Sequence, residues 1–441
     1  MRLYSTNGKS PEVSFEEAVF KGLPSDNGLF MPKEIKPLPN HFFEHIEELS
    51  FQEIAFEVTQ SIIGDDIPSD DLQKIINEVL SFDAPVVNVH DNIHTLELFH
   101  GPTLAFKDFG ARFMSRIMGY FLQEKAQKIN ILVATSGDTG SAVAQGFLGV
   151  PNINVTILYP KGKVSEIQEM QLTTNGQNIK ALEIEGTFDD CQRMVKSAFL
   201  DEELSKKLGL SSANSINISR LIPQSFYYFY AYAQLKKQGK PVVFCVPSGN
   251  FGNLCGGLIA QKMGLPVHKF IAATNANDIV PTYLKEGKYE PKPSVQTISN
   301  AMDVGAPSNF ARMQNLYEES LEAIREDIIG KSFTDEQTKE AIKRVFNQYG
   351  YILDPHGAVG YLAVEEYLKE NPSEDVNTVF LETAHPCKFG DVVEPIIGQK
   401  IDIPQRLQEI VDREKQSTLM DANFESLKSY LLNENAEATD A

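Results

Sequence analysis

Ile129-Asn-Ile-Leu-Val-Ala-Thr-Ser-Gly-Asp-Thr-Gly-Ser-Ala-Val-Ala-Gln-Gly-Phe147 decides the fold. Residues 129–134 form the nearly continuous apolar run of a strand buried on both faces, Gly137 and Gly140 interrupt it, and 139–147 has the spacing of a helix. The unit recurs along the chain. Strands are expected at 155–159, 179–184, 242–246, 270–274 and 378–382, alternating with helices at 164–172, 189–199, 221–236, 254–263 and 357–368. Ahead of them Phe106, Phe109, Phe113, Ile117 and Phe121 recur every three or four residues, giving one buried helical face. Repeated strand–helix alternation predicts an α/β fold with parallel sheets covered by helices.

The first eighty or so residues read instead as a small, mainly helical unit. Ser14 stands three residues before Glu17, a capping-box pattern, and Gly22 with Pro24 ends that helix. Three-to-four spacing at 42–57 and 70–80 predicts two more helices. Strands at 85–90 and 93–99 lead out, so the expected domains are 1–95 and 96–441, the latter a catalytic region of two α/β subdomains. Within it, 280–345 departs from the pattern. Pro281, Pro291 and Pro293 mark loops, charged helices follow at 313–325 and 334–347, and this segment is the expected mobile lid. The polar, acidic tail from about Asp412 is expected to fray into solvent.

Composition narrows the function. Over 441 residues, 42% hydrophobic and 23% charged content is ordinary for a globular enzyme, while a net charge of -20 argues against a nucleic-acid partner. No run approaches the roughly 18 apolar residues of a membrane span, and the N-terminus lacks the apolar stretch of a secretory signal, so a cytoplasmic location is expected. The cysteines at 191, 245, 255 and 387 show neither a CxxC pair nor a metal-ligand spacing; reduced thiols and no metal are expected.

Three loops rich in small residues follow predicted strands and run into helices, where open parallel sheets bind ligands. They are 134–140, Val246-Pro-Ser-Gly-Asn-Phe-Gly-Asn-Leu-Cys-Gly-Gly257, and Thr383-Ala-His-Pro-Cys-Lys388. The second is the best phosphate cradle, because Gly249 and Gly252 let backbone N–H groups converge at a helix N-terminus. A dinucleotide site is the rival, yet GxGxxG and its acidic ribose ligand are absent. A plain tight turn before a helix is the other alternative.

Lys107, in Leu98-Phe-His-Gly-Pro-Thr-Leu-Ala-Phe-Lys-Asp-Phe-Gly110, opens a helix among Leu104, Phe106 and Phe109. The dipole's positive end and an apolar surround both lower an amine's pKa, which suits Schiff-base chemistry. Asp108-Phe-Gly110 also spells the metal-binding motif of protein kinases, but their other motifs are missing. A Schiff-base lysine, a phosphate cradle and a hydroxyl-bearing loop at a third strand end together describe a pyridoxal phosphate site.

These stretches, with Asn214-Ser-Ile-Asn-Ile-Ser-Arg220, Val13-Ser-Phe-Glu-Glu-Ala-Val19 and Asn300-Ala-Met-Asp-Val304, resemble the threonine synthase family, in the branch found in enteric bacteria and fungi. The resemblance spans essentially the whole chain. It implies fold type II, the tryptophan-synthase-like class of pyridoxal phosphate enzymes. It also implies a cytoplasmic lyase that closes threonine biosynthesis by converting O-phospho-L-homoserine and water to L-threonine and phosphate, as a monomer or small homo-oligomer. Lys107 is then the Schiff-base lysine and the acid–base group. Gly249, Asn250, Phe251 and Asn253 hold the cofactor phosphate, with Asn253 standing where many relatives carry aspartate. Thr383 meets the pyridine nitrogen, the loop of Thr135, Ser136, Asp138 and Thr139 faces the substrate carboxylate and the cofactor's 3-oxygen with Ser136 and Thr139 as donors, and Asn214, Ser215 and Arg220 meet the substrate phosphate. Asp138 reads either as a member of that loop or as the N-cap of the helix from Thr139. His100, His356 and His385 are expected to be packed, and Lys388 adds positive charge near Thr383. Three rivals are a phospholyase yielding 2-oxobutyrate, a dehydratase or cysteine synthase without a second phosphate pocket, and a catalytically dead binding protein.

Overall fold

The computed structural model describes residues 1–437 except Glu124, Ala126 and Ser136; of Val411 and residues 435–437 only the backbone is described. The chain forms two compact units, each gathered from separate segments: 1–15, 23–106 and 221–402 in the first, 16–22, 107–220 and 403–441 in the second. Among the described residues, no helix is long and apolar enough to cross a membrane.

The second unit holds a five-stranded sheet in the order Thr418–Asp421, Ile179–Glu185, Ile153–Pro160, Ile129–Ala134, Leu210–Ser211. Every pair is parallel. Helices Asp138–Phe147, Glu166–Thr173 and Phe188–Leu200 return the chain between strands. Capping boxes start two of them, Ser165 with Gln168 and Thr187 with Asp190, each satisfying two N–H groups that the helix itself leaves open.

The fraying expected of the C-terminal tail is not what the structure shows. Thr418–Asp421 adds an edge strand beside 179–185, and Phe424–Glu437 is a helix whose Leu427 and Leu431 enter the core with Leu182, Met194 and Ala198. Its polar residues hide a short apolar stripe, Leu427 and Leu431, one helical turn apart. Burying two leucines contributes about 1.5–3 kcal/mol each, enough to hold a helix that its composition alone would not.

The first unit carries a six-stranded sheet in the order Ile328–Ser332, Lys269–Thr274, Val242–Pro247, Asn377–Glu382, Ile93–Glu97, Val86–His90. It is parallel except for the last pair, an antiparallel hairpin. Its two middle strands, 242–247 and 377–382, are buried at every residue, so their carboxyl ends deliver the loops after Pro247 and Glu382 on a rigid base.

Several boundaries differ from expectation for identifiable reasons. The helix foreseen over 42–57 divides because Ser50 caps a new one, Phe51–Ile63, through a capping box with Glu53. The one over 221–236 carries a 3-10 turn, Ile222–Ser225, around Pro223, whose missing N–H cannot join the helical ladder. The one over 313–325 breaks at Glu318 and Glu319, both with positive φ. Strand Ile328–Ser332 and a three-stranded antiparallel sheet of Arg2–Ser5, Val13–Ser14 and Phe30–Pro32 escaped notice; their two to five residues are too short to show a period.

Candidate active site

Lys107 is the first residue of helix Lys107–Leu122, in the second unit. It keeps a small exposed surface, but the protein around it lowers its pKa from 10.5 to about 8. Burial is the largest cause and the Arg220 guanidinium the next, while Asp138 works in the opposite direction. The expected depression is therefore present, and a neighbouring cation supplies part of it. That cation was assigned to the substrate from sequence, without any foresight that it faces Lys107.

Arg220 lies 2% exposed in the short helix Ile218–Leu221. Its Nη1 donates to the carbonyl of Ala213, and a Cβ added to Gly110 would come within 3.0 Å of its Nε and of its carbonyl oxygen. A side chain here, one turn after Lys107, would crowd Arg220, so the close approach relies on Gly110. Burial pushes Arg220 down to about 10, opposed by Asp108, so it stays charged at neutral pH. The approach to it is tied internally. Asn217 N–H donates to the Asn214 carbonyl at 3.1 Å, Arg220 N–H to the Asn217 carbonyl at 2.9 Å, and Ser219 Oγ to Asn217 Oδ1 at 2.7 Å. Asn214 and Ser215 are partly exposed on this frame.

The loop at 134–140 ends in helix Asp138–Phe147. Thr135, 1% exposed, accepts from the N–H groups of Gly137 at 3.0 Å and Gly140 at 2.9 Å, so its hydroxyl shapes the loop from inside. Ser136 lies outside the described residues, and Thr139 is partly exposed. The N-cap reading of Asp138 does not hold: Gly137, at φ 144°, occupies the cap, and Asp138 is already the first helical residue. A glycine can take that φ, which closes the turn one residue early. Asp138 Oδ1 accepts instead from Gln168 Nε2 at 3.0 Å, while Gln168 Oε1 accepts from Ser165 N–H in the capping box. Gln168 was missed, although Ser165-x-x-Gln168 is a readable cap signature.

This arrangement yields a signed prediction. Asn in place of Asp138 still accepts from Gln168 but removes the anion that holds the Lys107 pKa up, so Asp138→Asn should carry it below about 8. The pH dependence of imine formation between the apoprotein and pyridoxal measures this; an unchanged or raised value counts against it.

In the first unit, strand Val242–Pro247 leads through Ser248–Phe251 into helix Gly252–Lys262. Phe251 sits at φ 61°, strained for a residue with a side chain, as the N-cap of that helix, whose first-turn N–H groups have no helical acceptors. A Cβ on Gly249 would lie 2.7 Å from the carbonyl oxygen of Ala301, so no larger residue fits. Asn250 Oδ1 accepts from Ser308 N–H. The Asn253 carboxamide serves the loop itself: Nδ2 donates to the Pro247 carbonyl at 2.8 Å, and Oδ1 accepts from Ser248 Oγ at 2.9 Å and from Leu254 N–H at 3.0 Å.

Thr383 follows strand Asn377–Glu382 and is 6% exposed. Its carbonyl accepts from the N–H of Phe106, the residue before Lys107, at 2.8 Å. Lys388, buried, donates from Nζ to the Thr103 carbonyl at 2.9 Å, and His385 N–H donates to that of Leu104 at 3.0 Å. Lys388 thus fastens the turn after Thr383 to the segment that precedes Lys107. His356 is packed as expected, its Nδ1 2.6 Å from Asp354 Oδ1 and its Nε2 accepting from Ala301 N–H at 3.2 Å. Burial also lowers His385 to about 4, which keeps it neutral.

Taken unit by unit, these residues are of the kinds a pyridoxal phosphate group requires. A depressed lysine opens one helix, a glycine-walled cradle caps another, and a hydroxyl rather than a carboxylate stands at the end of the last strand. Among the described residues, no cluster of His, Cys, Asp and Glu could hold a metal ion.

Comparison with known proteins agrees. Residues 89–383 match the family model for pyridoxal-phosphate dependent enzymes, 2–80 that for the threonine synthase N terminus, and 357–431 that for the threonine synthase C-terminal region. The chain is 44% identical over 434 residues to threonine synthase of Escherichia coli (strain K12), covering 98% of this chain and 100% of that one. It is 36% identical over 502 residues to threonine synthase of Saccharomyces cerevisiae, covering 98% of each. The crystal structure of threonine synthase from Brucella melitensis with pyridoxal phosphate bound superposes with a TM-score of 0.92 at 36% identity, covering 98% of both chains.

Proposed function

Because the chain belongs to the threonine synthase family of fold type II pyridoxal-phosphate-dependent enzymes, we propose that its substrate is O-phospho-L-homoserine, converted with water to L-threonine and inorganic phosphate. Threonine synthesis by a lyase is its activity and pyridoxal phosphate its cofactor. The observation that carries the substrate assignment is the buried Arg220 beside Lys107, a fixed cation within electrostatic reach of the amine that does the proton work.

In this reading Lys107 would hold the cofactor covalently through its aldehyde. Gly249, Asn250 and Phe251 present backbone N–H groups to its phosphate, Asn253 holds that loop in shape, and the Thr383 hydroxyl meets the pyridine nitrogen. A hydroxyl stabilises a pyridinium less than a carboxylate would, which suits elimination over transamination. The cofactor supplies delocalisation of the electron pair left when a proton leaves the substrate's α carbon. Lys107, freed when the substrate amine takes its place, would accept that proton and pass it on to the departing phosphate, and would accept a second from the β carbon as the C–O bond at the γ carbon breaks. It would return that second proton to the γ carbon; water would add its hydroxyl at the β carbon, and the water's remaining proton would go through Lys107 to the α carbon. A lysine with a pKa of about 8 is roughly one-tenth deprotonated at pH 7, so both of its forms are populated and it can move protons in both directions. Arg220, with Asn214 and Ser215, stabilises the departing phosphate. Ser136 and Thr139 orient the carboxylate, and Asp138 offsets Arg220 so that Lys107 keeps its proton long enough to return it.

Product analysis tests the assignment. Incubation with O-phospho-L-homoserine should release threonine and phosphate in equal amounts. Phosphate accompanied by 2-oxobutyrate and no threonine would replace the proposal with a phospholyase. A cytoplasmic location, a monomeric or small homo-oligomeric state, a domain boundary near residue 95 and movement of 280–345 on substrate binding complete the proposal.

A further inference from the structure

We propose that Asn309 is a further anchor for the cofactor phosphate, donating its side-chain amide at the first turn of helix Gly252–Lys262, and that Arg312 fixes which way that amide faces. The inference rests on reading 249–253 as the phosphate cradle. Asn309 is 0% exposed, and among the described residues its Nδ2 has no hydrogen-bond partner. A buried N–H left in that condition is costly, which marks it as a donor in want of an acceptor.

The orientation of the carboxamide follows from chemistry. Arg312 Nη1 donates to Asn309 Oδ1 at 2.8 Å, and Nη2 donates to the Phe30 carbonyl at 3.0 Å. A guanidinium has donors only, so the amide atom facing it has to be oxygen, and the nitrogen points the other way. There it meets the cradle: a Cβ built on Gly252 would stand 3.4 Å from Asn309 Nδ2 and 3.6 Å from Gln224 Nε2. Gly252 is the first residue of its helix, so both amides stand beside the turn whose backbone N–H groups lack helical acceptors.

The segment carrying Asn309 is bound to this loop at several points. Asn309 N–H donates to the Asn250 carbonyl at 3.3 Å, Ser308 N–H to Asn250 Oδ1 at 2.5 Å, and Cys255 Sγ lies 3.5 Å from the Asn309 carbonyl. The local charge favours an anion. Burial pushes Arg312 down only to about 10, and the neighbouring Cys255 thiol is pushed up to about 12, so at neutral pH one is charged and the other is not. The ligand this corner takes is the dianion of a phosphate monoester, and the cofactor carries one.

The apoprotein, titrated with pyridoxal phosphate and separately with pyridoxal while the visible band is followed, tests the proposal. Asn309→Asp keeps the oxygen that meets Arg312 but replaces the donor with an anion; Asn309→Ala removes the donor without adding charge. Expected losses in pyridoxal phosphate affinity are about 100-fold for N309D and about 10-fold for N309A, with pyridoxal affinity within about threefold of the wild type. Pyridoxal phosphate affinity within about threefold of wild type in both variants, or an equal loss for pyridoxal, overturns the assignment. Thermal unfolding of each apoprotein runs alongside; should N309A fail to fold, N309D decides alone. A wild-type apoprotein that forms no Lys107-dependent band would instead overturn the reading of the cradle.

Discussion

Lys107→Ala is expected to lower turnover of O-phospho-L-homoserine by at least about 10³-fold and to prevent the visible band that the wild type forms with pyridoxal phosphate. One nitrogen is given two tasks, the covalent hold on the cofactor and successive proton transfers, so alanine removes both and no neighbour substitutes. Assays of threonine release and absorption spectra on the same preparation check this. A variant keeping a tenth of the activity would exclude Lys107 as the base. The apoprotein should respond in the opposite sense. A lysine that titrates near 10.5 unfolded and about 8 folded penalises the folded state fully below pH 8, and the penalty fades as pH rises to 10.5. Relative to wild type, the alanine apoprotein therefore gains stability at neutral pH, on the order of 3 kcal/mol before lost packing is subtracted, and has no such gain above pH 10.5. Urea unfolding at pH 7 and at pH 10.5 measures the difference.

Arg220→Ala should lower kcat/KM for O-phospho-L-homoserine by about 10²- to 10³-fold, because removing a desolvated cation from a phosphate costs about 3–4 kcal/mol. A second readout separates this from simple unfolding. Arg220 is the larger of the two charge effects on Lys107 and depresses it, so its removal should raise the lysine's pKa above about 8, opposite to the effect of Asp138→Asn. Arg220→Lys keeps the charge but loses the planar fork, so KM should rise while the Lys107 titration stays nearly in place. Unchanged kinetics in both variants would remove Arg220 from the phosphate pocket and reopen a dehydratase-like substrate.

Much of this is legible in the sequence. Strands such as Val242–Pro247, buried on both faces, leave a continuous apolar run, and the glycines at 137, 140, 249 and 252 mark where those runs turn into helices. Lys107, the cradle and Thr383 each carry a local pattern. What stayed hidden depends on contacts far apart in the chain. No spacing reveals that Arg220 packs on Gly110, that Arg312 orients Asn309, or that Lys388 reaches the Thr103 carbonyl. The acidic tail misled for a related reason: Leu427 and Leu431 make a stripe too narrow to outweigh their polar neighbours until the sheet they cover is known.

That tail has a bearing on how the protein is made. Strand Thr418–Asp421 pairs with 179–185, more than 200 residues earlier, and the unit that holds Lys107 and Arg220 is closed by it. While the ribosome is still reading, the apolar edge of 179–185 and the leucines it will share with the last helix have no cover. Such an uncovered edge is a template for pairing with another chain. The lysine-bearing unit is thus incomplete until Thr418–Asp421 and the helix after it have been made, and chaperone capture of nascent chains should concentrate in the interval before that.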